Sequence, residues 1–382
     1  MPVRLPFTLL SLLGGLLLAM TGLPTAWSIL TTLPLSLLLW HLARQPGAKD
    51  VAVQSWWAIF AYFAGQLFWL VVFAHNLLTA DGGLPSVLAW PIAAALLSLL
   101  YALEGVFWAI MAFLVARLFT SPLARAWGLA GGWVILEWTR TLGALAFPWS
   151  GLGYTFLRTP IIQAADLGGV LLLSALATAS AAALVTWIQA RNPRPALLLT
   201  VIWLAGLAYG LTRTLGAGPP ATALLLRTDF NSFDKATGGG EETLQQNSLR
   251  LSTKRRPGEV LIWSETAVSN PDDLARVPAP ALTGLYRDQL NTVVGWDGLG
   301  TTGRFDKAHP VPFGEYFPLS GTFRRSTTPS SWCWASVSRR SFPARCIRRL
   351  RFKTFFTVSI SVTTPSCRRS PDRWRSRAHR CW

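Results

Sequence analysis

The first 320 residues of this 382-residue chain contain no cysteine. All four cysteines (Cys333, Cys346, Cys367 and Cys381) lie in the last 62 residues, which excludes a disulfide framework for the body of the protein. Charge is scarce too. Asp, Glu, Lys and Arg make up 14% of the chain, against 51% hydrophobic residues and a mean hydropathy of +0.36. Soluble domains carry roughly a quarter of their residues as charges, so this composition points to membrane spans. Acids are rarest in the tail, where Asp372 is the only one among residues 321–382.

That scarcity locates the net charge of +17. Residues 1–220 hold ten Lys and Arg against five acids, residues 221–320 hold ten against twelve, and the tail holds fifteen against one. A basic chain can signal nucleic acid or anionic lipid. Here the basicity is confined to the tail, and no nucleic-acid partner is expected.

Crossing a bilayer takes about 20 apolar residues. Seven such runs lie at roughly 5–20, 24–42, 55–78, 87–116, 124–139, 163–189 and 196–216, separated by stretches rich in Gly and Pro. The first run continues into the second without a convincing cleavage site, which reads as an uncleaved anchor. With the N-terminus inside the cell, the inner segments carry Arg4, Arg44, Lys49, Arg117, Arg125, Arg191 and Arg194. The outer loops carry only Arg140 and Arg158. The excess of cations on one side favours this orientation. Seven spans then place everything after about residue 217 outside, which in a bacterium with two membranes is the periplasm.

Two acids, Glu104 and Glu137, fall inside apolar runs, where charge is expensive. They are expected to face a protein interior or sit near a span end, with Arg140 one helical turn from Glu137 as its partner. The segment "FPWSGLGY", 147–154, suits either an aromatic belt at the interface or a lipid-facing loop beside an active site.

After "GAGPP" 216–220 the pattern changes. Strands are expected over 221–230, 258–268 and 290–298, and a helix over 241–252, which suggests an α/β domain. Glu265 follows an apolar strand in "VLIWSETAV". A carboxylate partly buried at such an edge can serve as a general base. Lys307 in "GRFDK" could stabilise an oxyanion, and the proline-stiffened "PVPFGEYFP" loop fixes Glu315. Each alone reads as an ordinary surface or loop residue, and the combination is more specific than its parts.

Taken together, the spans, "FPWSGLGY", "DLGGVLLLS" at 166–174, "IWSETAV" and "DKAHPVPFGEYFPL" resemble the apolipoprotein N-acyltransferases of bacterial envelopes. The resemblance implies an N-terminal α-helical transmembrane bundle over 1–217 and an α/β, nitrilase-like αββα domain, incomplete here, over 221–320. It implies transfer of a fatty acyl group from a phospholipid to the N-terminal amine of a lipid-modified cysteine on an apolipoprotein, through a cysteine thioester. Membrane lipids are the surroundings, and neither cofactor nor metal is implied. By motif, Glu265 would be the base, Lys307 the oxyanion stabiliser and Glu315 a supporting acid. The location implied is the bacterial inner membrane, with the C-terminal domain on its periplasmic face.

The chain departs from that family in three places. Ser264 stands where the family usually has Pro. The Cys-Tyr-Glu motif that carries the nucleophile is absent: its slot falls near Val337, and Cys333, four residues away, is a weak candidate. Residues 345–382 hold no run apolar enough for the last span expected after the domain. The tail over 321–382, rich in Arg, Ser, Trp and Cys, reads as disordered or as coding sequence out of frame, ahead of a basic arm for anionic lipid. The alternatives are a membrane-anchored nitrilase-like amidase, an inactive family-like membrane protein and a non-catalytic scaffold.

Overall fold

A computed structural model describes residues 5–22, 28, 30–80, 83–143, 146–213, 220–228, 240–287, 290–308, 310–311 and 357–363. The chain divides into two compact units, Met1–Leu215 and Gly216–Trp382.

The first unit is helical: α1 (Leu5–Thr21), α2 (Thr32–Ala43), α3 (Ala48–Gln66), α4 (Phe68–Thr79), α5 (Ser86–Leu118), α6 (Pro122–Thr139), α7 (Ala165–Ala190) and α8 (Arg194–Thr212). Local chemistry sets several ends. Ser121 caps α6 by accepting from Ala124 N, with Pro122 in the first turn. α7 closes on Arg191 in the left-handed region, φ 55°. Gly168 and Gly169 interrupt α7 near its start. α1 packs closely on α3, since a Cβ at Gly15 would lie 2.0 Å from Ala58 O.

Apolar side chains cover the outside as well as the core. Leu197, Leu198, Val201, Leu204 and Leu211 of α8 are exposed, and α8 buries none of its residues. A soluble bundle would turn polar residues outward, so this is a membrane unit. Among the described residues, α5, the stretch Pro160–Ala190 and α8 are each long and apolar enough to cross a membrane, and the α3–α4 pair can make a fourth. Within the run at 24–42 the described helix is α2, whose 12 residues give about 18 Å; residues 24–27 and 29 of that run lie outside the described residues. The run at 55–78 bends by 60° between α3 and α4. There Tyr101 donates its hydroxyl to Leu67 O (2.8 Å), and Gln66 Nε2 donates to Ala19 O (2.6 Å). The first bond satisfies a carbonyl at the break, and the second ties the end of α3 to α1.

The expected Arg140–Glu137 pairing is not what the fold makes. Arg140 Nε lies 3.0 Å from Glu104 Oε2 on α5, with both side chains almost fully buried. Arg140 Nη2 donates to Trp149 O (3.0 Å), and the guanidinium lies over the rings of Phe63, Trp108 and Phe147. Glu137 Oε1 instead accepts from Trp133 Nε1 (2.8 Å) and Leu152 N (2.7 Å). Both acids do face the interior. The 147–154 segment is tied down further by Tyr62, which donates to Ser150 O (2.9 Å), and by Gly153 N, which donates to Ser174 Oγ (2.8 Å).

The second unit holds β1 (Pro220–Leu226), α9 (Gly240–Ser252), β2 (Val260–Ile262), β3 (Ala281–Arg287), β4 (Leu290–Trp296), β5 (Thr301–Asp306) and β6 (Thr357–Thr363). They form one sheet in the order β5-β4-β3-β2-β1-β6. β1, β2, β3 and β6 are parallel, and β4 and β5 are antiparallel additions at one edge. The class is α/β, as expected. The strand anticipated over 258–268 is shorter, ending at Ile262 before a turn, and β3, β5 and β6 were not anticipated. β6 lies within the basic tail and pairs with β1 along its whole length.

Removing one member of a buried ion pair leaves the other charge stranded. Arg140→Met is expected to lower stability by about 3–5 kcal/mol, and the double variant Glu104→Leu/Arg140→Met to recover part of that loss. Thermal unfolding of the purified protein in detergent measures both. A double variant as unstable as the sum of its single changes would show that the two residues are not coupled.

Candidate active site

The parallel strands deliver their C-terminal ends to one edge of the sheet, where α/β folds place ligands. Glu265 sits just past the end of β2. β4 runs the other way, so its first residues, Leu290 and Asn291, lie at the same edge, and β5 returns there to Asp306 and Lys307.

The turn carrying Glu265 is held against β3 by main-chain bonds. Trp263 N donates to Leu282 O (2.9 Å), Gly284 N to Ser264 O (3.3 Å), Val268 N to Gly284 O (3.1 Å) and Tyr286 N to Val268 O (3.0 Å). The approach demands a glycine on β3. A Cβ at Gly284 would lie 2.4 Å from Thr266 N and 2.6 Å from Glu265 Cα. Thr266 takes φ 52°, in the left-handed region, which turns the chain directly after Glu265. Trp263 anchors the turn from below, donating Nε1 to Ser252 Oγ on α9 (3.1 Å).

Lys307 Nζ lies 3.5 Å from Glu265 Oε1, so the fold brings together two of the residues singled out from the motifs. Glu315 and Cys333 lie outside the described residues. Glu265 is not partly buried as expected: its side chain is 65% exposed and that of Lys307 33% exposed. The sequence reading missed Asn291, whose Nδ2 donates to Glu265 Oε1 (3.0 Å) and whose carbonyl accepts from Lys307 N (2.9 Å). A polar amide inside the apolar run "LNTVV" was the available signal.

A side-chain contact between the two antiparallel strands is reinforced by one within β5. Thr292 donates to Asp306 Oδ1 (2.8 Å), and Arg304 Nε reaches the same oxygen (2.6 Å). In the β4–β5 turn, Gly300 N and Leu299 N both donate to Asp297 Oδ1, which holds its carboxyl below the usual aspartate range. Among the described residues no group of three or more His, Cys, Asp or Glu side chains is placed to hold a metal ion. The arrangement offers an accessible carboxylate with a fixed cation beside it, which suits proton transfer at a group that develops negative charge.

Residues 14–183 match the family described as "Apolipoprotein N-acyltransferase N-terminal domain". Curated relatives named apolipoprotein N-acyltransferase match well beyond that segment. The protein from Geobacter metallireducens is 30% identical over 347 residues, covering 82% of this chain and 65% of its own length. Over residues 14–183 the chain is an apolipoprotein N-acyltransferase N-terminal domain, and most of its length is similar to apolipoprotein N-acyltransferases. A Pseudomonas aeruginosa relative is 30% identical over 351 residues, 84% of this chain and 66% of its own length. One from Agrobacterium fabrum is 32% identical over 304 residues, 71% and 56% respectively. The chain thus spans between 56% and 66% of the length of these apolipoprotein N-acyltransferases.

Replacing Gly284 by Ala is expected to push the Ser264–Thr266 turn off the sheet and to cost about 1–3 kcal/mol, as overpacking does. Thermal unfolding followed by tryptophan fluorescence reads the loss, with Gly300→Ala, where a Cβ meets nothing within 4 Å, as the comparison.

Proposed function

We propose that the protein acts at the bacterial inner membrane, moving a fatty acyl group from a phospholipid to the N-terminal amine of a lipid-modified cysteine on an apolipoprotein. The observation that carries this reading is the meeting of Glu265 and Lys307. They lie 42 positions apart in sequence, in a chain whose apolar helical half matches this family's N-terminal domain. The sheet would be part of a nitrilase-like αββα sandwich on the periplasmic face.

The chemistry runs in two halves. A cysteine thiol gives its proton to Glu265, and the sulfur bonds to the acyl carbon of the ester. Lys307 stabilises the oxyanion that forms. Collapse of this intermediate expels the lipid alkoxide, which takes the proton from Glu265, and leaves a thioester. The lipoprotein amine then attacks the thioester and loses its proton to Glu265, and the sulfur leaves and takes that proton back, which restores the thiol and the carboxylate. Glu315 supports the site as a further acid. The nucleophile is the weak part of this chain: the Cys-Tyr-Glu motif is missing, and Cys333 is the candidate in its place. We therefore propose that acyl transfer by this sequence is impaired. A phospholipid donor accounts for joining the α/β unit to lipid-exposed helices.

In vesicles holding phospholipid and a diacylated lipopeptide, the chain is expected to add one acyl group slowly. Glu265→Gln and Lys307→Met should each lower that residual rate by about 10²–10³-fold. Mass spectrometry of the peptide, and of the cysteine-bearing fragments of the protein, reads the product and the acyl-enzyme. Rates unchanged in both variants would remove the assignment. Release of a small amide product without need of phospholipid would favour the membrane-anchored amidase instead.

A further inference from the structure

We propose that Asn291 is a positioning residue that holds Glu265 and Lys307 together. The inference rests on reading that pair as the acyl-transfer groups only for its consequence in turnover; the geometry stands by itself. Asn291 is the second residue of β4 and pairs with Tyr286 of β3. Its side chain and its backbone serve different members of the pair. Nδ2 donates to Glu265 Oε1 at 3.0 Å, while the carbonyl oxygen accepts Lys307 N at 2.9 Å. The oxygen that takes the amide proton is the one 3.5 Å from Lys307 Nζ. A single strand residue therefore sets where the carboxylate turns and where the lysine leaves β5.

Such a tether is needed because Glu265 is exposed. A glutamate side chain in water samples many rotamers, and ordering it costs free energy that an ion pair across 3.5 Å of solvent-accessible space barely offsets. The amide of Asn291 adds a directional bond to a charged acceptor. It comes from a backbone already fixed on both sides. β3 pairs with Asn291 through Tyr286, and Thr292, next in sequence, pairs with Asp306 of β5. An aliphatic residue at this position would keep the strand and lose the donor.

Zero-length cross-linking of the intact protein in detergent tests the geometry without turnover. A water-soluble carbodiimide joins the Glu265 carboxyl to the Lys307 amine as an amide and leaves as the urea. The joined tryptic peptides are counted by mass spectrometry. The original protein should give the cross-link, and Asn291→Leu and Asn291→Ala should lower its yield roughly threefold to tenfold, the worth of one such hydrogen bond. Asn291→His, which can donate from a ring nitrogen at similar reach, should restore much of it. A merely structural role would not separate His from Ala. If Asn291→Leu fails to fold, the smaller Asn291→Ala carries the comparison. Yields unchanged in Asn291→Ala, or no cross-link in the original protein, would overturn the proposal. Lipopeptide acylation on the same samples separates the two readings. Cross-linking that follows residue 291 while the original protein acylates nothing would support the positioning role and overturn the acyltransferase reading alone.

Discussion

A guanidinium buried among apolar helices has to be satisfied by protein, and one end of the helical unit is arranged around that requirement. Arg140 stands at the C-terminal end of α6 and is almost fully enclosed. Taking such an ion out of water costs several kcal/mol even after relaxation. Glu104 supplies the opposite charge, Trp149 a carbonyl, and Phe63, Trp108 and Phe147 their ring faces. Two of those partners, Phe147 and Trp149, belong to the non-helical segment after α6. Satisfying the arginine therefore also folds that segment. Glu137 does the complementary work, taking the Leu152 amide that a helix would have bonded internally. Irregular backbone in a membrane protein is tolerated where protein groups satisfy it, and here Tyr62 and Ser174 complete the list.

The second unit solves the opposite problem. Its charged pair is open to solvent, so precision has to come from the backbone. The turn bearing Glu265 lies against β3 because Gly284 has no side chain, and the lysine is placed by a main-chain bond to the strand beside it. Buried charge organises one unit, and close backbone approach organises the other.

These differences explain what could be read from residues alone. Apolar runs announce helices because they must be long to cross a membrane. The break at Leu67 carries no proline to announce it, and its stabilising partner, Tyr101, comes from another helix. The partner of Arg140 was misjudged because spacing along one helix favours Glu137, while Trp133 and Leu152 already occupy that carboxylate. β3 was missed because Gly284 breaks its alternation, and β5 because "TTGRFD" is polar and mostly exposed. β6 sits in a stretch whose basic surroundings hide a short "TVSISVT" alternation. Glu265 and Lys307 were legible as motif residues. Their proximity was not, since it depends on two antiparallel strands whose register no local pattern reports.

The exposure of the pair bears on how it could act. At 3.5 Å in water a carboxylate and an ammonium attract by only about 1 kcal/mol, and several-fold more once the effective dielectric falls to protein-like values. Left open, such a pair is only weakly coupled, the carboxylate side chain being 65% and the lysine side chain 33% exposed. Covered by a large apolar group that displaces water, the same atoms become a strong electrostatic site without moving. A substrate made mainly of hydrocarbon supplies that cover by itself, whereas a small polar amide does not. The open geometry thus gains most from an apolar cover, provided the two groups are already held in place when it arrives.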